Sequence, residues 1–404
     1  MSTHGDQQCE RPLTILHLAT SFRWTGVAEP AVQLARQQAA LGHRVVVAME
    51  PGGDFEARTR AAGLEVNTRL LTHRFHPWAV WQQHRLMRAF IEELRPDVVH
   101  AHLLHDHWMA GLTCGYRRGQ RPSGAPVLVR TFHREEEPRA DPATRWLAGR
   151  TSGMIAISQS LAGRLQQAYA PVAGGLLVSG GAVDADEFKP GADPAVIRGE
   201  WGIPLGIPVV GLLSRLREAR GIFWLLDAVE PLLRRVPQAV VVFCGRGRHA
   251  DELAARIAQH PLRDSIRFPG YVPPDRLNEA YAALDVHCLL GPGNDGTCRA
   301  ALQSMACERP LCAFDGGAMH DLLNPGSEDA RRAVRLVTAG DVGGLADALA
   351  SQLLASPAER QMARESARRH VLQHHTPHGQ AQRVVSFYRS VSSLGTLAAT
   401  TRTR

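Results

Sequence analysis

A doubly wound α/β fold in two Rossmann-like halves is the class the sequence predicts, and three observations predict it. Short, continuously apolar runs such as RVVVAM (44–49) and AVVVFCG (239–245) read as strands buried on both faces. These runs alternate with stretches of helical period, the pattern of parallel strands joined by helical crossovers. The first series ends in a Gly/Pro/acidic stretch, LLVSGGAVDADEFKP (176–190), and a second starts at Pro208, so a chain of 404 residues is expected to build two sheets.

In the first half, LTILHLA (13–19) is a strand, TSFRWTG the turn after it, and about 30–40 a helix closed by Leu41-Gly42-His43. RVVVAM follows as the second strand. A helix over 78–94, strands at 97–101 and 126–131, the short strand MIAIS (154–158) and a helix from Gln159 continue the series. In the second half, PVVGLLS (208–214), AVVVFCG, SIRFPG (265–270), DVHCLLG (285–291) and RPLCAF (309–314) are strands, with a weaker one at 333–337. Helices are expected near 221–234, 249–258, 274–283, 297–306, 341–354 and 358–374, and a final one over 379–391. In such folds ligands gather at the carboxyl ends of the strands, so a cleft between the halves is expected there.

Composition narrows the function. There are 46 Lys plus Arg against 39 Asp plus Glu, a net charge of +7, which permits attraction to polyanions or an anionic membrane face without requiring either. Lys189 is the only lysine, so a phosphate site must use guanidinium groups. Seven cysteines without a C-x-x-C pair fit a reducing cytoplasm better than a disulfide framework. The amino terminus is polar and no apolar run approaches a membrane span, so neither a signal peptide nor a transmembrane helix is expected, and membrane attachment would be peripheral. Arg117, Arg118, Arg121, Arg130 and Arg134 occur without an acidic residue between His107 and Arg134, suiting an anionic lipid, an anionic carbohydrate or plain solvent; no nucleic-acid module accompanies them. There is no Walker signature, no full G-x-G-x-x-G, no serine elbow and no paired carboxylates at hydrolase spacing.

Five places carry candidate chemistry. Asp295-Gly296-Thr297 precede a helix after the strand ending at Leu290, where open amides hold an oxyanion or the side chains simply cap the helix. Arg215 and Arg220 follow the strand VVGLLS, either beside a diphosphate or as an exposed basic turn. Gly245-Arg246-Gly247 follow AVVVF and either let a nucleotide approach the backbone or form a plain turn. His100, His102, His105 and His107 cluster, yet no Cys or carboxylate completes a metal-ligand spacing, so no metal site is expected; His102 is an acceptor-side candidate. His133 follows PVLVRTF between Arg130 and Arg134, as a group that donates to an oxygen or accepts a proton, or as a solvent-facing loop residue.

Taken in order, these pieces resemble one family. Thr25-Gly26-Val27 with LARQQAALGHRV, then RPDVVHAH, RTFH, IAIS, VSGGAVDADEFKP, GLLSRLREARG, VVFCGRG, IRFPGYVPPDRL and GPGNDGTCRAALQSMACERPLCAFDGG are similar to the retaining glycosyltransferases of the GT-B fold, family 4, the group 1 superfamily. The resemblance runs over nearly the whole chain. It implies that the Gly26 loop closes over the donor diphosphate and that His133 lies near the transferred sugar. It implies that Arg215 and Arg220, the latter in place of a lysine, neutralise the leaving diphosphate without a metal. Gly245, Arg246, Gly247 and Gly270 would lie near the base or ribose, with Gly296 and Thr297 on the donor and His102 and Arg130 on the acceptor side. Two glutamates of the family align with Asp295, usually near sugar hydroxyls, and Gln303, usually on the ribose; a third aligns with Ala28.

The resemblance thus implies an acceptor-side unit over 1–189, a donor-side unit over 190–376, and a segment 377–404 whose helix returns to the first unit. The expected activity is retaining transfer of a hexose-like group from a nucleotide diphosphate sugar, with no further cofactor, to a glycan or lipid-linked acceptor in cell-surface glycan, glycolipid or polysaccharide synthesis. The expected setting is cytoplasmic, with possible peripheral contact to an anionic membrane and no nucleic-acid partner. The departures at Asp295, Gln303 and Ala28 keep two alternatives open: a weakened or inactive nucleotide-sugar or glycan binding protein, and an epimerase or hydrolase on the same architecture.

Overall fold

Among the described residues, every paired strand runs parallel to its neighbours, in two separate sheets. The computed structural model describes residues 11–400 other than 25–26, 71–76, 118–119, 134–137, 170–174, 294 and 324–325; the side chains of 77, 295–297 and 394–400 are also outside the description. The chain divides into two compact units, one of Met1–Ile157, Leu161–Ser179 and Pro377–Arg404, the other of Ser158–Ser160 and Gly180–Thr376.

The first unit holds β1 (Thr14–Leu18), β2 (Arg44–Ala48), β3 (Glu65–Asn67), β4 (Val98–Ala101), β5 (Val127–Phe132), β6 (Gly153–Ala156) and β7 (Leu176–Val178), in the order β3-β2-β1-β4-β5-β6-β7. Because side chains alternate along a strand, β1 feeds two cores. Leu16 and Leu18 pack with Met87 and Met109 on one face; Ile15 and Ala19 pack with Ala31, Ala35 and the helix Pro377–Thr400 on the other. That helix contributes Ala381, Val384, Val385, Tyr388 and Val391, a stripe at helical spacing. His17 falls between Ile15 and Ala19 in the alternation and so belongs to this second face.

The second unit holds β8 (Val209–Leu213), β9 (Val240–Cys244), β10 (Ile266–Gly270), β11 (Val286–Leu289), β12 (Leu311–Phe314) and β13 (Val334–Val337), in the order β10-β9-β8-β11-β12-β13. Strand order reverses between β8 and β11, which makes the carboxyl end of β8 the topological switch point. All residues of β8 and β9 are buried, as their unbroken apolar runs require. The helix Pro357–His374 starts on a capping box, Ser356 with Glu359, with proline at its first position.

Several elements differ from the sequence expectation. The helix expected near 221–234 is two helices, Ile222–Asp227 and Val229–Arg235, after a 3₁₀ turn at Glu218–Arg220. The helix expected at 297–306 begins at Asp295, so Asp295, Gly296 and Thr297 form its first turn instead of preceding it. The helix Leu104–Cys114 was hidden by its histidine- and tryptophan-rich composition, and the helix Asp54–Ala61 and strand β3 by their brevity. Residues 180–189, read on sequence as part of the first unit, pack within the second: Arg368 donates to the carbonyls of Ala185 and Phe188. Among the described residues no helix is long and apolar enough to cross a membrane, and none of the six described cysteines forms a disulfide.

Candidate functional site

A cavity of about 620 Å³ opens in the second unit where the loops after β8, β9 and β10 meet the helix Asp295–Ala306. Residues 214, 215, 217, 244–248, 271, 272 and 274, with Tyr281, Ala300 and Gln303, supply most of its wall. The carboxyl ends of the strands at the switch point thus carry a concave site, as expected for this class of sheet.

Its cationic end is built by backbone pinning. Leu216 is fully buried, its N–H donating to the Arg246 carbonyl (3.1 Å) and its own carbonyl accepting from His249 N–H (3.3 Å). Arg215 and Arg217, on either side of it, are consequently thrown outward and exposed. Gly221, at φ +71°, then turns the chain into the next helix so close to Leu290 that a Cβ would lie 2.3 Å from the Leu290 Cβ. A Cβ on Gly291 would in turn stand 2.8 Å from the Arg220 Cδ, so the stem of Arg220 lies along the chain leaving β11. Burial first, then repulsion from Arg215 and Arg217, lowers the Arg220 guanidinium below its usual range. Three cations whose fields overlap are an arrangement that an anion relieves.

Gly245 and Gly247 have a different reason from the one their spacing suggested. A Cβ on Gly245 (φ +146°) would fall 1.9 Å from the Ser214 carbonyl oxygen, and one on Gly247 would fall 2.2 Å from that of Leu216. Both glycines exist to let the turn after β9 dock on the turn after β8. Gly245 N–H donates to the Gly270 carbonyl (2.8 Å), tying in the turn after β10 as well, and the space around a Cβ on Gly270 is open.

The opposite wall is aromatic and polar. The Arg246 guanidinium lies over the Tyr271 ring, Cζ 4.2 Å from the centroid. Tyr281 is buried and donates its hydroxyl to Gln303 Oε1 (3.2 Å); Gln303 therefore faces the cavity with one carbonyl lone pair already used and its amide donors in play. Beneath them His287 accepts from Leu213 N–H at Nε2 (3.3 Å), and burial lowers it to about 3, so it is a neutral support. Cys244 lines the cavity as a thiol, pushed up to about 12 by burial, and is no nucleophile.

The first unit gathers the histidines. Gln38 Oε1 lies 2.7 Å from His17 Nε2, His17 Nδ1 lies 2.9 Å from His102 Nε2, and His102 Nδ1 lies 3.1 Å from His133 Nε2. A branch runs from Gln38 Nε2 to the Tyr388 hydroxyl (3.2 Å), on to His100 Nδ1 (2.6 Å), and from His100 Nε2 to Thr131 Oγ1 (2.7 Å). Burial lowers His17 to about 4 and, with neighbouring positive charge, holds His100 and His102 well below the ordinary range. Among the described residues the group of three side chains placed to hold a metal is His17, His100 and His102, with ligand atoms within 4.8 Å. Their nitrogens are engaged with one another and with Gln38, Tyr388 and Thr131, so the geometry is a hydrogen-bonded chain.

Arg215, Arg220, Gly245, Arg246, Gly247, Gly270 and Gln303 therefore come together in the second unit. His102, Arg130 and His133 come together in the first, where both ring nitrogens of His102 are used internally and Arg130 is buried with Cζ 5.1 Å from the Phe132 ring. Gly26 and the side chains of Asp295 and Thr297 lie outside the described residues, as does the side-chain environment of Gly296. Of the arginine stretch 117–134, Arg130 is buried and Arg121 donates to the carbonyls of Ala125 and Ser392, so these two supply no open patch. Sequence reasoning missed Arg217, Tyr281, His17 and Gln38, and reached Tyr271 only through the PGY turn at Gly270. The alternation Arg215-Leu216-Arg217 was a usable signal for the first of these; the others depend on contacts across the sheets.

Residues 207–355 match the family Glycosyl transferases group 1 and residues 24–174 match Glycosyltransferase Family 4. A D-inositol 3-phosphate glycosyltransferase of Corynebacterium jeikeium is 32% identical over 180 residues, 42% of this chain and 42% of the relative. The matched stretches span half or less of the length of that relative and of its counterpart from Corynebacterium urealyticum. Among solved structures, a glycosyltransferase from Rickettsia africae ESF-5 superposes with TM-score 0.76 at 16% identity, covering 95% of this chain and 99% of that one. Anabaena Alr3699/HepE in complex with UDP superposes with TM-score 0.73 at 19% identity, covering 94% and 100%. The structural likenesses bear on the fold, and the two family matches, one in each unit and together covering most of the chain, bear on descent: the chain belongs to the GT-B glycosyltransferases of family 4, the group 1 glycosyl transferases.

Proposed function

We propose that the protein transfers a hexose-like group from a nucleoside diphosphate sugar to an acceptor hydroxyl, with retention of anomeric configuration and without a divalent metal. The observation that carries this reading is the set of overlapping guanidinium groups, Arg215, Arg217 and Arg220, at the switch point beside a cavity walled by Arg246, Tyr271 and Gln303. A diphosphate suits the cationic end, and a base with its ribose suits an aromatic wall and an amide. UDP is the first nucleotide to try, because the Anabaena structure holds it.

In this reaction the acceptor oxygen bonds to the anomeric carbon on the face from which the bond to the diphosphate breaks. The acceptor proton passes to a diphosphate oxygen, so no protein nucleophile takes part. The chain contributes orientation, water exclusion and neutralisation of the charge that grows on the leaving phosphate. Arg215 and Arg220 carry the last role, with Arg217 beside them. His133 is assigned to the sugar end, Asp295 to sugar hydroxyls, and the Gly26, Gly296 and Thr297 backbone to the diphosphate. His102 and Arg130, both buried, act on the acceptor side from behind His133.

A cytoplasmic protein that touches an anionic membrane fits one exposed feature of the first unit. Trp78 and Trp81 are 66% and 48% exposed and stack at 5.0 Å, with the Arg85 guanidinium over the Trp81 ring. Flotation with anionic and neutral vesicles at low and physiological salt tests this: no binding to anionic vesicles at either salt removes it.

The test of the activity is incubation of UDP-, GDP- and ADP-sugars with an acceptor panel, followed by mass spectrometry and proton NMR. A glycoside with the donor's anomeric configuration is the expected product. Free sugar or epimerised donor without acceptor would assign hydrolysis or epimerisation instead, and donor binding with no product would make the chain a binding protein.

A further inference from the structure

The histidine chain of the first unit has a direction. A carboxamide oxygen only accepts, so Gln38 Oε1 takes a proton from His17 Nε2 (2.7 Å). Its NH₂ donates to the Tyr388 hydroxyl, which then donates to His100 Nδ1, leaving His100 Nε2–H to donate to Thr131. Gln38 thereby orients both branches at once. A neutral imidazole carries one N–H, so His17 Nδ1 is an acceptor and must receive a proton from His102 Nε2 (2.9 Å). His102 Nδ1 is then the acceptor for His133 Nε2–H (3.1 Å). His17, His100 and His102 are at most 2% exposed, and burial keeps all three neutral, so no second proton blurs the sequence.

We propose that Gln38, His17 and His102 are positioning residues that lock His133 in its Nε2–H tautomer, which makes Nδ1 the acceptor nitrogen of that ring. This inference rests on the proposed role of His133 at the sugar end of the donor. It adds that the ring carries its proton on Nε2 and its lone pair on Nδ1, and that a row of three buried side chains, beginning on the face that packs against the helix Pro377–Thr400, decides it. Without the row, a neutral imidazole is free to exchange its proton between the two nitrogens.

The test is two-bond proton–nitrogen NMR of ring-¹⁵N-histidine protein at neutral pH, with the His133 signals identified by their loss in His133→Asn. The wild-type spectrum is expected to show His133, His102 and His17 as Nε2–H tautomers. A reversed row of Nδ1–H rings, or a tautomer-averaged His133, overturns the inference without any variant having to fold. His102→Leu is expected to average the His133 tautomer and lower kcat by about tenfold, the scale of one lost hydrogen bond. His102→Gln, which accepts from His133 and donates to His17, is expected to restore the tautomer and most of the rate. If His102→Leu leaves both the tautomer and kcat at wild-type values, the positioning role is wrong. If instead His133→Ala transfers sugar at the wild-type rate while the tautomer row is as described, it is the assignment of His133 to the sugar that fails.

Discussion

Gly221 and Leu290 approach so closely that the site depends on the absence of a single carbon: a Cβ on Gly221 would lie 2.3 Å from the Leu290 Cβ and 3.0 Å from its carbonyl oxygen. This contact seats the start of the helix Ile222–Asp227 on the end of β11 and lays Arg220 along Gly291.

Gly221→Ala combines a clash with a positive φ and should cost about 2 to 4 kcal/mol of stability in urea unfolding, with weakened nucleoside diphosphate binding. Gly270→Ala is the control. Its φ is +88° with nothing within 4 Å of a Cβ, so conformational strain alone, about 1 kcal/mol, should appear. Equal losses for the two would show that the Leu290 contact is not the cause.

Arg215→Ala and Arg220→Ala should each lower kcat/KM by at least about tenfold while leaving the unfolding midpoint nearly unchanged, since one charge-assisted contact is worth about 1.5 to 3 kcal/mol. Arg217→Ala should fall in the same direction, because it shares their field. Steady-state rates within twofold of wild type for both Arg215→Ala and Arg220→Ala would remove the arginines from the mechanism.

Tyr271→Ala removes the ring beneath Arg246 and one wall of the cavity. Nucleoside diphosphate affinity should drop by about fivefold, equivalent to about 1 kcal/mol, in titration calorimetry. Unchanged affinity would place the base elsewhere.

Acid should loosen the first unit before the second. Burial lowers His17 to about 4 and holds His100, His102 and His107 well below 6.5, so the unfolded chain binds their protons first. Their stabilisation is complete above pH 6.5 and is lost as pH falls from there toward each folded value, at about 1.4 kcal/mol per pH unit for each group. In the second unit, His287 does the same toward about 3, and burial also lowers His370. Hydrogen exchange at pH 7.5 and 5, corrected for intrinsic rates, should show protection falling more in β1 and β4 than in β8 and β9. Equal changes in both sheets would contradict the histidine account.

Much of this was legible in the residues. Unbroken runs such as VVVFC could only be doubly covered strands, and the order of the motifs carried the family. Arg215, Arg220 and Arg246 were singled out because each sits past the end of a strand, and Gln303 because the resemblance aligns it with a family glutamate. Contacts set by the sheet were not legible. Gly245 and Gly247 looked like a nucleotide fingerprint, but their missing side chains make room for Ser214 and Leu216. The run DVVHAHLLHDH suggested a local cluster, yet it spans β4 and the helix Leu104–Cys114, and His102 takes its partners from β1 and from the end of β5. Period-2 alternation placed His17 on an apolar face; only the helix from the far end of the chain, with Tyr388, explains a polar network there.

The most direct measurement is titration calorimetry of the wild-type protein and of Arg215→Ala/Arg220→Ala with a nucleoside, its monophosphate and its diphosphate, beginning with the uridine series. The account predicts that affinity climbs with each phosphate in the wild type and that the climb largely disappears in the double variant. Equal affinity for uridine and UDP in the wild type, together with no steeper series for guanosine or adenosine, would contradict it.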